Sequence, residues 1–193
     1  MPPKFKFTRE EIIQAALDLT RKNGISAVTA RALGEKLHSS VKPIFGQFKN
    51  MEEVHTEVLR ASYNLSLARM HELMESGEYP PYKASGIAYI LFAKEEPELF
   101  KLLYMRDRSN ESIDDKIYMK PLMEEVQKNL KLSEDDAYLF HTEMWIFVHG
   151  IAAMTATAYL EWDIDKVSKV LSDAYMGLKY RFSERMLSVN RPQ

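Results

Sequence analysis

Apolar residues recur at helical spacing from the start of the chain. Ile12, Ala15, Ala16 and Leu19 fall at i, i+3, i+4 and i+7, one face of a helix. Thr8-Arg9-Glu10-Glu11 supplies its start as a capping box, the Thr8 hydroxyl accepting from the Glu11 amide and the Glu11 carboxylate reaching back. Phe7 and Ile12 hold the two staple positions around that cap. Asn23-Gly24 ends the helix, because Gly24 takes left-handed backbone at low cost. Val28-Thr29 repeats the staple and cap and opens a second helix to about Leu37, with Leu33 and Leu37 inward. His38-Ser39-Ser40 reads as a turn, and Ser40 as the N-cap of a short third helix. Pro43 stands in its first turn, where a missing N–H costs nothing. Ile44, Phe45 and Phe48 make its apolar face, and Asn50 caps the next helix.

The remaining pattern predicts longer helices. Over about 51–76, Val54, Val58, Ala61, Leu65, Ala68 and Leu73 share a face, and Ser76-Gly77 closes the segment. Pro80 and Pro81 break the chain. Helices are expected over about 82–94, 97–107, 114–130, 133–160 and 163–187, with 108–114 a polar loop without apolar period. Ser133 caps the fourth of these, and Glu134, Asp135 and Asp136 sit on the favourable end of its dipole. In the last helix Val167, Leu171, Ala174, Tyr175, Leu178 and Phe182 form a broad stripe. In the one before it Gly150, Ala152, Ala153, Ala156 and Thr157 keep side chains small, so that another helix comes close. Two such helices from each of two copies make a four-helix interface, and burial within one chain is the plainer account.

Composition agrees with helix. The 193 residues include only seven Gly and eight Pro, too few for a turn-rich β architecture. The absence of Cys excludes disulfides, thiolate metal sites and a Cys nucleophile. His38, His55, His71, His141 and His149 form no close pair, so no metal is expected. There is no G-x-S-x-G, P-loop or dinucleotide fingerprint, and neither an enzyme nor a cofactor is expected. No apolar run approaches the ~18 residues of a membrane helix. Charge follows Phe7 at once, which leaves no signal-peptide core, and a cytoplasmic protein is expected.

Charge changes the picture more. The chain carries −2 overall, but residues 1–50 carry +5 and the rest −7. Such asymmetry points to a polyanion at one end only, although five charges on fifty residues also suit a solvated surface. Three short helices joined by tight turns make a helix-turn-helix unit, and the third is short enough to enter a major groove with its apolar side on the core. Thr29 and Ser40, as helix caps, offer hydroxyls and amides to phosphates.

The stretch 12–54 resembles the DNA-binding domain of TetR-family transcriptional regulators. The matching features are Ala15-Ala16-x-x-Leu19, Gly24, Val28-Thr29, Ala32-Leu33, Ser40, and Ile44-Phe45-x-x-Phe48. Trp145-x-x-x-His149-Gly150 is similar to the Trp-His-Gly signature of one C-terminal branch of that family. The resemblance implies a dimeric one-component regulator whose second domain binds a small molecule and alters the spacing of two DNA heads. The chain departs from the family at Val41, where a Lys is usual, at Phe45, where a Tyr usually reaches a phosphate, and at Met51, often a Lys. Lys42, Gln47 and Lys49 are the polar residues left nearby, and Pro43 replaces a common small polar residue. The candidate DNA-binding residues are therefore Thr29, Arg31, Ser39, Ser40, Val41, Lys42, Pro43, Phe45, Gln47 and Lys49.

Small-molecule sites are mostly apolar with a few polar anchors, and Met suits an adaptable pocket. Eleven Met residues and the aromatic residues of the middle helices supply candidates: Tyr89, Phe92, Phe100, Tyr104, Met105, Met119, Met123, Trp145 and His149. Met144, Phe147, Glu143 and Arg106 stand beside them. Core packing is the plainer account of any one of these.

The expected architecture is all-α, with about nine helices. A three-helix helix-turn-helix domain over 1–50 precedes a larger helical ligand-binding and dimerisation domain over 51–193, with helix 51–76 as connector. The expected function is a ligand-responsive regulator, a repressor in sign. It binds a palindromic double-stranded operator as a homodimer and is released by a small apolar or aromatic effector. The alternative is a helical ligand-binding or adaptor protein whose DNA-binding head has lost its usual contacts.

Overall fold

The computed structural model describes residues 6–107 and 115–189, with side chains over 6–107 and 120–185. Among these residues there are nine α-helices and one 3-10 turn, and no strand. The helices are α1 (Arg9–Asn23), α2 (Ala30–Lys36), α3 (Lys42–Gln47), α4 (Met51–Glu75), α5 (Pro81–Glu95), α6 (Pro97–Tyr104), α7 (Asp115–Leu130), α8 (Glu134–Ala156) and α9 (Ile164–Val189). The 3-10 turn is Ile25–Ala27. The polar loop expected over 108–114 lies outside the described residues. The chain forms two compact units, Met1–Arg69 with Phe92–Arg106, and Met70–Leu91 with Asp107–Gln193.

In the first unit three of the predicted caps are in place. Thr8 Oγ1 accepts from the Glu11 amide at 3.2 Å, and Glu11 Oε2 accepts from the Thr8 amide at 2.8 Å. Thr29 Oγ1 accepts from the Ala32 amide, and Asn50 Oδ1 from the Glu53 amide. Ile12, Ala16, Val28, Leu33, Ile44, Phe48, Val54 and Val58 are buried in the core of this unit. α1 packs on α2 and α6. Arg21 holds Glu96, the N-cap of α6, through Nε to Oε2 at 2.9 Å and Nη2 to Oε1 at 2.8 Å. This two-pronged geometry ties the end of α1 to the start of α6.

The cap of α3 and the inner line of α4 differ from expectation. The N-cap of α3 is Val41 rather than Ser40, and no side chain caps it. The reason is the preceding turn. His38 takes φ +49°, its amide bonds the Glu35 carbonyl, and the Ser39 amide returns to the Gly34 carbonyl at 2.8 Å. These are the two bonds of a Schellman ending, and it carries the turn one residue further. On α4 the buried line is Val54, Val58, Ser62 and Ser66, whereas Leu65 and Ala68 face outward. The Ser62 hydroxyl donates to the Val58 carbonyl, and Ser66 Oγ lies 3.1 Å from the Tyr104 hydroxyl, so neither serine is buried unsatisfied.

The second unit is built around Phe140, with Val126, Leu132, Ala137, Met144 and Phe182. α8 packs on α7 and α9. The stripe of α9 turns inward: Val167, Leu171 and Phe182 are buried, and Ala174, Tyr175 and Leu178 pack on the Phe140 cluster. Ala152 and Ala156 of α8 are buried as well. The faces expected to meet a second copy are thus largely used within one chain. α8 and α9 leave outside Tyr138, Leu139, Trp145, Ile146, Phe147, Met154, Met176 and Tyr180, and Gly150 and Gly177 have open space around them.

α8 ends at Ala156, not near Leu160. Ala158 takes φ +55°, with its amide on the Thr155 carbonyl and the Tyr159 amide on the Met154 carbonyl. This is again a Schellman ending, here closed by a residue with a Cβ. Left-handed backbone costs an L-residue about 1–2 kcal/mol. Ala158→Gly is therefore expected to raise the stability of this unit by about 0.5–1 kcal/mol, net of the greater entropy of Gly in the unfolded chain. Urea unfolding checks it, and a lower midpoint in the variant would contradict the account of this ending.

Candidate functional site

The head presents α3 through a division of its side chains. Ile44 and Phe48 point into the core, while Ser40, Val41, Lys42, Phe45 and Lys49 are exposed and Pro43 is half-buried. Phe45, expected on the apolar inner face, stands outside it. The turn places α3 through Gly34. A Cβ there would lie 2.9 Å from the Ser39 carbonyl oxygen, a backbone atom with little freedom to retreat. Gly34→Ala gains about 1 kcal/mol of helix propensity and loses about 1–3 kcal/mol to the forced contact. A modest net loss of stability is expected, together with a larger loss of any DNA affinity, because α3 must shift. Unchanged binding in the variant would show that the Gly34 contact does not set the aim of α3.

The other candidates at this end divide by what already holds them. Thr29 caps α2, and Arg31 is paired with Glu35 at 2.9 Å on the open surface. Ser39 Oγ accepts from Lys6 Nζ at 3.1 Å. Gln47 is committed to its own chain: its Nε2 donates to the Phe7 carbonyl at 2.7 Å, and its backbone carbonyl accepts from Arg9 Nη1 at 2.6 Å. Arg9 also lies over the Phe48 ring at 4.1 Å and pairs with Glu53 and Glu57. The Lys49 amide first, and Arg9 next, hold the Glu53 carboxyl below the usual carboxylate range. Of the basic residues near the turn, Lys42 is exposed and has no ion pair among the described residues. Lys6 was missed by sequence reasoning. Its contact with Ser39 spans 33 residues, and only the basic excess of this end pointed toward it.

The effector candidates fall into both units. In the first, Phe92 and Phe100 are buried, the Tyr104 ring stands 5.1 Å from that of Phe100, and Met105 is exposed. Arg106 Nε donates to the Leu102 carbonyl. In the second, Tyr89, Trp145 and His149 come together. The Tyr89 hydroxyl is 2.9 Å from His149 Nδ1, and the Trp145 ring stacks on the imidazole at 5.1 Å. Burial lowers the His149 pKa, which favours the neutral ring. Met123 is half-buried on α7, and the Met119 side chain lies outside the described residues. Glu143 pairs with Arg181 beside a shallow open groove lined by Phe147, Asp173, Ala174, Gly177 and Leu178.

A second tyrosine–histidine pair lies along the same two helices. The Tyr82 hydroxyl is 3.0 Å from His141 Nδ1. Tyr82 and Tyr89 are on α5, His141 and His149 on α8, so the pairs run in the same order and the two helices are parallel. Burial lowers the His141 pKa to about 4 and raises that of Tyr82. Among the described residues no group of three or more His, Asp or Glu side chains is placed to hold a metal ion, and no helix is long and apolar enough to cross a membrane.

No protein-family model matches the chain, and no curated protein matches its sequence. A solved structure of a TetR-like transcriptional regulator from Rhodococcus sp. RHA1 aligns with TM-score 0.66, over 95% of this chain and 99% of that one, at 15% sequence identity. At that identity the likeness establishes a shared all-helical fold over nearly the whole chain.

Proposed function

We propose that this chain is a ligand-responsive transcriptional regulator, acting in the cytoplasm, that binds a palindromic duplex operator as a homodimer. The head carries this reading: Ile44 and Phe48 anchor α3, and Ser40, Val41, Lys42 and Phe45 face outward from a segment whose first fifty residues carry +5. The fold shared with a TetR-like transcriptional regulator supports it. Residues 1–50 act as the DNA-binding domain and 51–193 as the effector and dimerisation domain, with α4 as connector.

Dimerisation uses the outer faces of α8 and α9, where Ile146, Phe147, Met154, Met176 and Tyr180 are exposed. Two helices from each copy then form a four-helix interface. Paired recognition helices fit successive major grooves at a separation of about 34–36 Å. A small apolar or aromatic effector at the Tyr89, Trp145 and His149 cluster favours a mis-spaced state. It shifts the population only by its differential affinity for the two states. Release of the operator then relieves repression.

Duplex titration at several salt concentrations is the test. A regulator shows a log–log slope of several units and a specific sequence far tighter than random DNA. Lys42→Ala is expected to weaken binding across all sequences and to flatten the slope by about one for each phosphate that the lysine neutralises. An unchanged slope would show that Lys42 meets no phosphate.

A second reading, a helical ligand-binding or adaptor protein, is favoured by one set of observations. Gln47 is committed to the Phe7 carbonyl, and Val41, Phe45 and Met51 offer no strong hydrogen-bonding side chain. Absence of sequence preference at low salt would select this reading.

A further inference from the structure

We propose that Val41 and Phe45 read thymine methyl groups in the major groove, so that the operator half-site is recognised chiefly through apolar contact. The inference rests on the DNA-binding reading above and names the chemistry that reading leaves open.

α3 has six residues, and its two core anchors, Ile44 and Phe48, are 1% and 2% exposed. Val41 and Phe45 are 38% and 45% exposed. They lie one helical turn apart, the Phe45 amide facing the Val41 carbonyl at 3.4 Å. On an α-helix that spacing sets two side chains within about 40° of each other around the axis. The two exposures thus form one outward strip rather than two scattered ones, and single scattered exposures are what ordinary surfaces show.

Charge and hydrogen-bonding capacity identify the occupant. Lys42 stands beside the strip, in a segment of net +5. A basic residue beside an apolar strip, at an end of the chain with excess positive charge, suits a groove walled by phosphates. Within that groove base pairs present donors, acceptors and one apolar group, the C5-methyl of thymine. Valine and phenylalanine side chains neither donate nor accept. Gln47, which has the atoms for base-edge hydrogen bonds, is held back toward its own chain by the bond from Nε2 to the Phe7 carbonyl. The strip therefore discriminates by methyl contact, and the half-site is expected to place thymine opposite α3.

The experiment uses the full chain. Duplexes are selected from a random pool at low salt. The preferred duplex is then remade with each thymine of the half-site replaced in turn by deoxyuridine, which removes only the methyl. One or two positions are expected to bind about three- to five-fold more weakly, the effect of deleting one methyl from an apolar contact. Phe45→Ala or Val41→Ala should bind the two duplexes equally at those positions. Both side chains lie outside the core, and circular dichroism verifies that the helical fold is kept. A preferred sequence with no deoxyuridine effect at any position overturns the inference and leaves the DNA-binding reading standing. No preferred sequence at any salt overturns both. If Phe45→Ala without DNA converts a larger species to a smaller one by light scattering, the strip belongs to a contact between copies, and the inference is overturned.

Discussion

Phe140→Ala is expected to cost the second unit about 3–5 kcal/mol, the range for deleting a fully buried aromatic ring. Phe140 is fully buried and touches both sides of its cluster, its ring 5.5 Å from Phe182, 5.4 Å from Tyr175 and 6.4 Å from Tyr82. Its neighbours come from α5 and α9 around α8, so no single helix moves in to fill the void. Domains are stable by about 5–15 kcal/mol, so the loss takes a large share of the total. Both tryptophans, Trp145 and Trp162, belong to this unit, and their fluorescence in urea reports on it. With a slope of about 1–3 kcal/mol per molar urea, the midpoint should fall by about 1 M or more. A fall of less than about 0.3 M, well under what the lost ring predicts on that slope, would show that Phe140 is not the centre of this core.

Acid is expected to weaken the same unit through His141. Burial lowers the pKa of this residue to about 4, from 6.5. Between those values the unfolded chain binds a proton that the folded chain refuses, so stability rises with pH across that window. The contribution is complete above about pH 6.5 and is lost as pH falls through about 4, roughly 3 kcal/mol in all. Burial explains the refusal, because the charged imidazolium loses its hydration there. Burial raises the Tyr82 pKa, so its hydroxyl keeps its proton and stays a neutral partner 3.0 Å from His141 Nδ1. A protonated imidazole has two donors and no acceptor. His141→Gln keeps an acceptor and cannot titrate. Its stability should vary less with pH between about 4 and 6.5 than that of the unchanged chain. Parallel curves for the two would assign the acid sensitivity to carboxylates alone.

How much of the fold was legible depended on how far apart the deciding atoms lie in the chain. The starts of α1, α2, α4 and α8 were visible because a cap and the amide it serves are three residues apart. Helix ends were less legible. Gly24 announced its positive φ, whereas His38 and Ala158 take positive φ without a glycine to mark it. The α3 cap and the end of α8 shifted for that reason. The buried line of α4 ran through serines because Ser62 and Ser66 are satisfied by Val58 and Tyr104, and hydroxyl satisfaction leaves no trace in an apolar period.

The candidate sites show the same division. From sequence alone followed the helical class, the helix order, the three short helices at the start and the basic excess of the first fifty residues, since each rests on local periodicity or on composition. The tertiary structure decided which members of an apolar set face inward. It buried Ile44 and left Phe45 outside, turned the α9 stripe into core, and committed Gln47 to the Phe7 carbonyl 40 residues away. It also placed Phe92 and Phe100 in one unit and Trp145 and His149 in the other. An apolar residue has the same identity in a core, an interface or a groove, and only the surrounding chain distinguishes them.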